Sequence, residues 1–304
     1  MRLLSFTHPT LQAGQPTFGA LAGDPADPAC EVIDLCGTTG ATELTELLQQ
    51  PDWVNSVRRR LDGAVSGVSV PLVEIRFERT LLWPRRIFCI GVNYGGRNAE
   101  YHDGTNASTN PSVFVRFPTS FVGHGDALVR PPESEQLDYE GEIVTVIGRG
   151  GRRIARSEAL AHVAAFTLGN EGTIRDWVRH AKFNVTQGKN WDGSGSMGPW
   201  LTTPDELTDG GPLTIERLEA LRLTTRVNGD LRQDDIPGTM AFPIDMQIEY
   251  LSTFCKLEPG DVIFTGTPTG AGARFDPPKW LVPGDVVEVS VPELGTLRNG
   301  VRDE

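Results

Sequence analysis

The stretch Leu137–Gly148, which reads LDYEGEIVTVIG, decides the fold of this chain. Its second half is short, rich in β-branched residues and closed by a glycine, so it predicts a β-strand over Glu142–Gly148. Glu140 and Glu142 lie two residues apart at its head, and side chains at that spacing point to the same face of an extended segment. Their Cα atoms would lie about 6.6 Å apart. By spacing alone, two solvated acids at a strand end are the commoner arrangement; two carboxylates converging on one hard cation are the alternative.

Further strand patterns lie on both sides of this stretch. Ile87–Val92 (IFCIGV) and Val113–Phe117 (VFVRF) precede it, and three β-rich segments with Pro-Gly or Asn-Gly turns follow it, beginning at Leu221, Lys256 and Val282. The chain also contains 34 glycines and 22 prolines, which favours many turns. Because the strands do not alternate regularly with helices, the pattern predicts a mixed, β-rich α+β fold.

Three helix predictions accompany the strands. In the first, Thr42 caps a helix whose leucines at 44, 47 and 48 share one face, and a second helical pattern follows over Trp53–Leu61. With the short apolar stretches around them, these helices predict a small α+β domain over residues 1–80, separate from a larger unit over 81–304. In the larger unit, Thr173 and Asp176 fit a capping box that opens a helix with the sequence DWVRHAKF.

Charge and composition exclude several classes of protein. The net charge of −12 argues against nucleic-acid binding, which needs a basic face. It also means that an anionic substrate needs a local cation and nearby Arg or Lys residues. The four cysteines show no zinc-type spacing, and no run approaches the roughly 18 apolar residues that cross a membrane. The first residues lack the apolar stretch of a signal peptide, so we expect a cytoplasmic protein.

Glu171 is a third carboxylate that could join Glu140 and Glu142. It lies in the loop LGNEG just before the predicted helix, where an ordinary first-turn glutamate favouring the positive end of that helix is the simpler interpretation. If the three do converge, a site made of carboxylates without Cys or His suits Mg²⁺ or Mn²⁺, with Ca²⁺ also compatible, rather than zinc.

Lys189, Arg116 and Thr267 are further candidates, each weak on its own. Lys189 lies in a Gly-rich segment that predicts a loop, where a surface lysine is the commoner case. Arg116 interrupts an apolar strand, so it either faces water or has a function. Thr267 belongs to a Gly-rich turn directly after a strand, where a backbone N–H and a hydroxyl could meet an anion, or which could simply be a tight turn.

In their order along the chain, these segments resemble the fumarylacetoacetate hydrolase family from about Arg85 to Val301. The matching stretches are GVNYGGRNAE (91–100), LDYEGEIVTVIG (137–148), NEGTIRDW (170–177), QGKNWD (187–192), GPWL (198–201), VNGDLRQ (227–233), LSTFCKLEPGDVIFTGTP (251–268), LVPGDVVEV (281–289) and LGTLRNGV (294–301). The resemblance implies a β-sandwich roll catalytic domain, preceded by a small accessory domain, in a homodimer. It also implies that Glu140, Glu142 and Glu171 bind the metal ion and that Lys189 and Thr267 line the substrate site.

The sequence departs from the family pattern at two positions. The third metal-binding position is usually Asp and here is Glu171, which keeps the charge but adds one methylene. The usual loop N-Y-x-x-H-x-x-E carries a His–Glu dyad that activates water, whereas here Arg97 replaces the histidine and Glu100 is retained. Arginine stays protonated and cannot act as a base, but it can hold a carboxylate with two hydrogen bonds. His102, five residues later, could take the missing role or be an exposed loop residue.

The resemblance leaves three functions open. The leading hypothesis is a metal-dependent hydrolase of a C–C bond in a small 2,4-dioxo acid of the acylpyruvate or fumarylacetoacetate kind. Glu100 would activate water directly or through His102. Lys189 and Thr267 would hold the chelated end of the substrate, while Arg97 and Arg116 would hold a remote carboxylate or oxygen. The second is an isomerase or decarboxylase of a 2-oxo or 2-hydroxydienoate dicarboxylate, as in aromatic catabolism, which the loss of the dyad histidine favours. The third is an inactive protein that binds a 2-oxo acid.

Overall fold

The structure is a computed structural model that describes residues 1–63, 67–96, 108–182, 184–208 and 211–304. Its strands are β1 Arg2–Thr7, β2 Thr17–Ala22, β3 Glu31–Asp34, β4 Ser69–Pro71, β5 Arg76–Phe77, β6 Ile87–Gly91, β7 Ser112–Val115, β8 Phe121–Val122, β9 Leu128–Arg130, β10 Leu137–Asp138, β11 Gly141–Ile147, β12 Val163–Asn170, β13 Thr173–Ile174, β14 Gly195–Thr202, β15 Leu223–Val227, β16 Asp230–Asp235, β17 Val262–Phe264, β18 Val286–Val291 and β19 Gly295–Asp303. Its α-helices are α1 Leu44–Leu48, α2 Trp53–Leu61, α3 Val185–Lys189, α4 Pro204–Thr208, α5 Ile215–Glu219 and α6 Ile244–Phe254. Strands dominate and helices are short, which confirms the predicted β-rich α+β class.

One long mixed sheet forms the framework of the molecule. Its strands follow the order β4-β3-β2-β1-β14-β12-β11-β17-β6-β7, with β5 beside β1 and β8 beside β14. β11 lies inside this sheet, antiparallel to β12 on one side and to β17 on the other. All seven residues of β11 are buried, as its run of β-branched side chains predicts.

A second sheet, in the order β16-β15-β18-β19-β9, packs against the long one. Phe166 and Leu168 of β12 share one hydrophobic cluster with Val289 of β18 and Leu297 of β19. The two sheets approach closely at Gly141, where an added Cβ would lie only 2.0 Å from the Thr225 hydroxyl oxygen. A glycine is therefore required between the two glutamates at the head of β11.

The strands of the first eighty residues extend the long sheet, since β1 pairs with β14 through Arg2↔Thr202 and Leu3↔Leu201. The division of the chain at residue 80 stays a prediction. None of the helices in the described ranges is long and apolar enough to cross a membrane.

Three local predictions were wrong. Thr42 does not cap α1 as an acceptor; its backbone N–H and hydroxyl both donate to the Glu46 carboxylate. Thr173 lies in β13 and not at a capping box, and only Asp176–Val178 forms a short 3₁₀ turn. Tertiary contacts override the local signal here, because β13 pairs with β10. Lys189 is the last residue of helix α3 rather than part of a loop.

Candidate active site and metal centre

Glu140, Glu142 and Glu171 come together at the head of β11. The antiparallel register pairs Gly141 with Asn170, so the chain that follows β12 passes beside Glu140. The Glu171 N–H donates to the Glu140 carbonyl oxygen at 2.8 Å. One carboxylate oxygen from each residue lies within 4.8 Å of the others, and each of the three residues is at most 3% exposed.

The three carboxylates are buried at an electrostatic cost. Burial, together with the charges of Glu171 and Glu140, raises the pKa of Glu142 well above its ordinary value of 4.5. The Gly266 N–H donates to Glu142 Oε2 at 2.8 Å and partly offsets this effect. The Oε1 atom of Glu171 is buried and accepts no hydrogen bond from the residues that the structure describes.

Within the described residues, two basic side chains donate hydrogen bonds directly to the triad. The Lys189 ammonium contacts Glu140 Oε2 and lies 3.0 Å from Glu171 Oε2. Burial lowers the pKa of Lys189, but the charges of Glu140 and Glu171 outweigh it and raise that pKa above 10.5. The Lys189 ammonium is therefore placed to donate hydrogen bonds to both carboxylates. Arg175 spans Asp138 Oδ2 at 2.7 Å and Glu140 Oε1 at 2.6 Å.

A cavity of about 520 Å³ opens onto the triad. Its described lining includes the three glutamates together with four basic residues, Arg175, Arg179, Lys189 and Arg274. Apolar side chains, among them Val113, Phe114 and Val178, form much of the remaining wall. A divalent cation on the triad would make this lining strongly positive, although the whole chain carries a net charge of −12.

Sequence reasoning missed three of these basic residues. Arg175 lies in the segment NEGTIRDW that carried the family resemblance, and that was the available signal. Arg179 and Arg274 had no local signal, because they meet at the cavity only after the helical turn at 176–178 and the turn at 272–274 fold against it.

Arg116 is buried and does not line the cavity. Its Nη1 donates to the Gly172 carbonyl oxygen at 3.0 Å, its Nη2 to Ser194 Oγ at 3.1 Å, and its Nε to Ser120 Oγ at 3.1 Å. Nη1 also lies 4.0 Å from Glu171 Oε1. This guanidinium therefore holds the backbone beside Glu171 and supplies a nearby positive charge.

Thr267 lines the cavity, as the family resemblance implied. Its hydroxyl donates to the Gly141 carbonyl oxygen at 2.9 Å and accepts a hydrogen bond from Gln233 Nε2 at 2.9 Å. Arg97, Glu100 and His102 lie outside the described residues, so their predicted roles stay predictions.

The triad fits a hard divalent cation. All of its possible metal-binding atoms are carboxylate oxygens, and they are buried within reach of one another. One of these atoms, Glu171 Oε1, accepts no hydrogen bond from the described residues. Such a set suits Mg²⁺ or Mn²⁺ and also Ca²⁺. Glu140, Glu142 and Glu171 could hold the ion, which would take over the charge compensation that Lys189 now provides to two of them.

Comparison with known proteins finds related sequences and structures. The family model described as fumarylacetoacetate (FAA) hydrolase C-terminal matches residues 86–302. A mitochondrial oxaloacetate tautomerase of Homo sapiens is 34% identical over 99% of this chain and 91% of its own length. Among solved structures, a 5-carboxymethyl-2-hydroxymuconate delta-isomerase from Mycobacterium smegmatis is 26% identical, with a TM-score of 0.76 over the full length of both chains. A fumarylacetoacetate hydrolase from psychrophilic Exiguobacterium antarcticum is 29% identical, with a TM-score of 0.80 and the same full coverage.

Proposed function

The chain belongs to the fumarylacetoacetate hydrolase family, and we propose that it is a metal-dependent isomerase that interconverts the enol and keto forms of a small 2-oxo dicarboxylic acid. One observation carries this proposal. The cavity combines a buried centre of three carboxylates with four basic side chains, which suits a dianion that also binds a cation. The names of two relatives, a tautomerase and an isomerase, support the reaction type.

The proposed chemistry starts from the ion and the ammonium group. A divalent cation on the triad would supply a Lewis acid for the 2-oxo oxygen and the adjacent carboxylate. Lys189, whose ammonium lies 3.0 Å from Glu171 Oε2, would donate a hydrogen bond to the oxygen on which negative charge develops. Arg179 and Arg274 would bind the second carboxylate, because guanidinium groups match its geometry.

The proton on the neighbouring carbon requires a base, and we assign this role to Glu100. Isomerisation needs no attacking water. Arg97 takes the place of the usual dyad histidine, which favours isomerisation over hydrolysis.

Hydrolysis of a C–C bond in a 2,4-dioxo acid is the second candidate. The retained Glu100 favours it, as does the name of the Exiguobacterium relative. Three further properties likewise stay predictions: a homodimer, a cytoplasmic location and a role in aromatic catabolism. Sedimentation equilibrium would test the homodimer.

One NMR experiment separates these reactions. Metal-depleted protein supplemented with Mg²⁺ is incubated in D₂O with oxaloacetate and, separately, with an acylpyruvate. Enzyme-accelerated exchange of the C3 hydrogens with an intact carbon skeleton supports the isomerase. Two fragments from the acylpyruvate would establish hydrolysis instead, and accelerated loss of CO₂ would establish decarboxylation. Glu142→Gln serves as the control for background exchange, because it removes one of the proposed metal-binding carboxylates.

A further inference from the structure

The carboxylate of Asp138 is buried beside the metal-binding triad without being part of it. Asp138 ends strand β10 and is 0% exposed. Its Oδ1 accepts hydrogen bonds from the backbone N–H groups of Tyr139 at 2.8 Å and Gly272 at 2.7 Å. Its Oδ2 accepts hydrogen bonds from the Ala273 N–H at 3.0 Å and from Arg175 Nε at 2.7 Å. A buried anion with four hydrogen-bond donors is well compensated, and it holds those donors in place.

Asp138 connects the triad to the turn at 272–274. On one side it holds Arg175, whose Nη2 donates to Glu140 Oε1 at 2.6 Å. On the other side it accepts the first two N–H groups of the turn. Arg274 is the third residue of this turn and lines the cavity. The position of Arg274 relative to the triad therefore depends on Asp138.

Gly272 shows how closely the turn packs against this carboxylate. An added Cβ at Gly272 would lie 2.7 Å from Asp138 Oδ1 and 2.1 Å from the Lys279 carbonyl oxygen. Contacts this short leave no room for a side chain, so the bare backbone of the turn fits between Asp138 and Lys279. The Lys279 N–H also donates to the Gly272 carbonyl oxygen at 2.9 Å. The turn is thus fixed from both sides.

The four donors also determine which side chain can serve at position 138. Backbone N–H groups and a guanidinium can only donate, so both side-chain oxygens of Asp138 must accept. Asparagine has nearly the same size, but it offers one oxygen and one NH₂ group. In either orientation of that amide, the turn would lose the hydrogen bond of Gly272 or that of Ala273.

We propose that Asp138 is a positioning residue that sets the distance between the triad and Arg274, so that the cavity selects substrates by the position of their second carboxylate. This inference rests on the proposed function for the role of Arg274 in binding that carboxylate. When the turn is displaced, the Arg274 guanidinium moves away from a carboxylate whose other end is held at the metal ion. The loss falls on the second carboxylate, whereas a change at the chelated end affects substrates with and without it alike.

Calorimetric binding of two stable 2-hydroxy acids tests this inference without turnover. Malate and lactate share the 2-hydroxy acid end that binds a metal ion, but only malate has a second carboxylate. Both are titrated into Mn²⁺-loaded protein, and the preference for malate over lactate is compared among variants. We expect Arg274→Met to lower this preference roughly 10-fold and Asp138→Asn to lower it roughly 3- to 10-fold. The double variant should lower it no further than Arg274→Met alone, because Asp138 acts through Arg274.

Two further variants separate positioning from folding. Asp261→Asn is the matched control, because Asp261 is also 0% exposed, accepts a hydrogen bond from Arg86 Nε at 2.9 Å and does not line the cavity. It should lower stability and leave the malate preference unchanged. Asp138→Glu keeps the charge opposite Arg175 but adds one methylene, so it should displace the turn and lower the preference. Asp138→Glu decides the question if Asp138→Asn fails to fold.

Four outcomes would overturn the proposal or its premise. If the folded Asp138 variants weaken malate and lactate equally, or weaken neither, Asp138 does not position the site for the second carboxylate. If the double variant falls clearly below Arg274→Met, Asp138 acts through another group. An equal loss in Asp261→Asn would mean that general destabilisation lowers the preference. A wild type without any malate preference would reject the dicarboxylate substrate itself, whereas absent hydrogen exchange in the NMR assay, with the Asp138 effect intact, would reject only the isomerase.

Discussion

Arg116 was expected to bind substrate, but its surroundings predict a different result when it is replaced. The Arg116 side chain is 0% exposed, and its guanidinium lies 4.2 Å from the centre of the Phe121 ring. Arg116→Met would leave the Gly172 carbonyl without the donor that Arg116 now provides, and the buried Glu171 carboxylate without this nearby charge. Removing one partner from a buried ionic group typically costs about 3–5 kcal/mol. We therefore expect the free energy of unfolding to fall by about that amount.

The assay is urea unfolding of metal-depleted protein, followed by fluorescence and circular dichroism. A loss of this size is a large fraction of the roughly 5–15 kcal/mol that stabilises most domains, so the midpoint should shift clearly. Arg116→Lys keeps the charge but not the planar set of hydrogen-bond donors. Its urea midpoint should lie between those of wild type and Arg116→Met. Arg222→Met is the matched control, because Arg222 pairs with Asp234 at the exposed surface and its loss should leave the midpoint unchanged.

A specific result would refute this reasoning. If Arg116→Met unfolds at the same urea concentration as wild type but loses affinity for a dicarboxylate, Arg116 contacts substrate and does not hold the Glu171 segment. Equal destabilisation by Arg116→Met and Arg222→Met would also contradict it, since burial would then have no influence.

The remaining predictions concern the metal, pH, and the residues Arg97, Glu100 and His102. Glu142→Gln should weaken Mn²⁺ binding at least about 10-fold in calorimetry, whereas the same change at an exposed glutamate should have no effect. Burial lowers the pKa of His124 below its ordinary 6.5, so the unfolded chain takes up a proton first as pH falls. The folding stability contributed by neutral His124 is therefore present above pH 6.5 and is lost as the pH falls below 6.5. His124→Gln should flatten the dependence of the urea midpoint on pH below 6.5. Arg97→Ala should raise KM for a dicarboxylate roughly 10- to 100-fold and leave a monocarboxylate analogue nearly unaffected. Glu100→Gln should lower kcat for every substrate; if it stays active while His102→Ala is inactive, the base is assigned to the wrong residue.

The local sequence predicted secondary structure correctly where a segment forms a regular β-strand. The strand over Glu142–Gly148 is observed as β11 over Gly141–Ile147, and the strand over Ile87–Val92 as β6 over Ile87–Gly91. Alternation along an extended chain also put Glu140 and Glu142 on one side, where the structure finds them together. The ordered motifs added the family, which the match over residues 86–302 confirms.

Short polar segments were harder to interpret, because weak local signals compete with long-range contacts. Thr173 has the sequence of a helix cap but pairs in a strand, since β10 offers it backbone partners. Lys189 follows a glycine and was expected in a loop, yet it ends a helix whose last two residues are buried, and its ammonium lies beside Glu140 and Glu171.

By itself, the sequence determined the β-rich fold class, the family and the carboxylates that could bind a metal ion, because these depend on residue type, periodicity and order along the chain. Only the tertiary structure decided that Arg116 supports Glu171 from behind and that Gln233 reaches Thr267 from another sheet. Gln233 is 92 residues from Gly141 in the sequence, and their 2.9 Å hydrogen bond exists only because the two sheets pack face to face. Hydrogen-bond direction depends on which groups meet, and for residues so far apart in the chain no local pattern encodes that meeting.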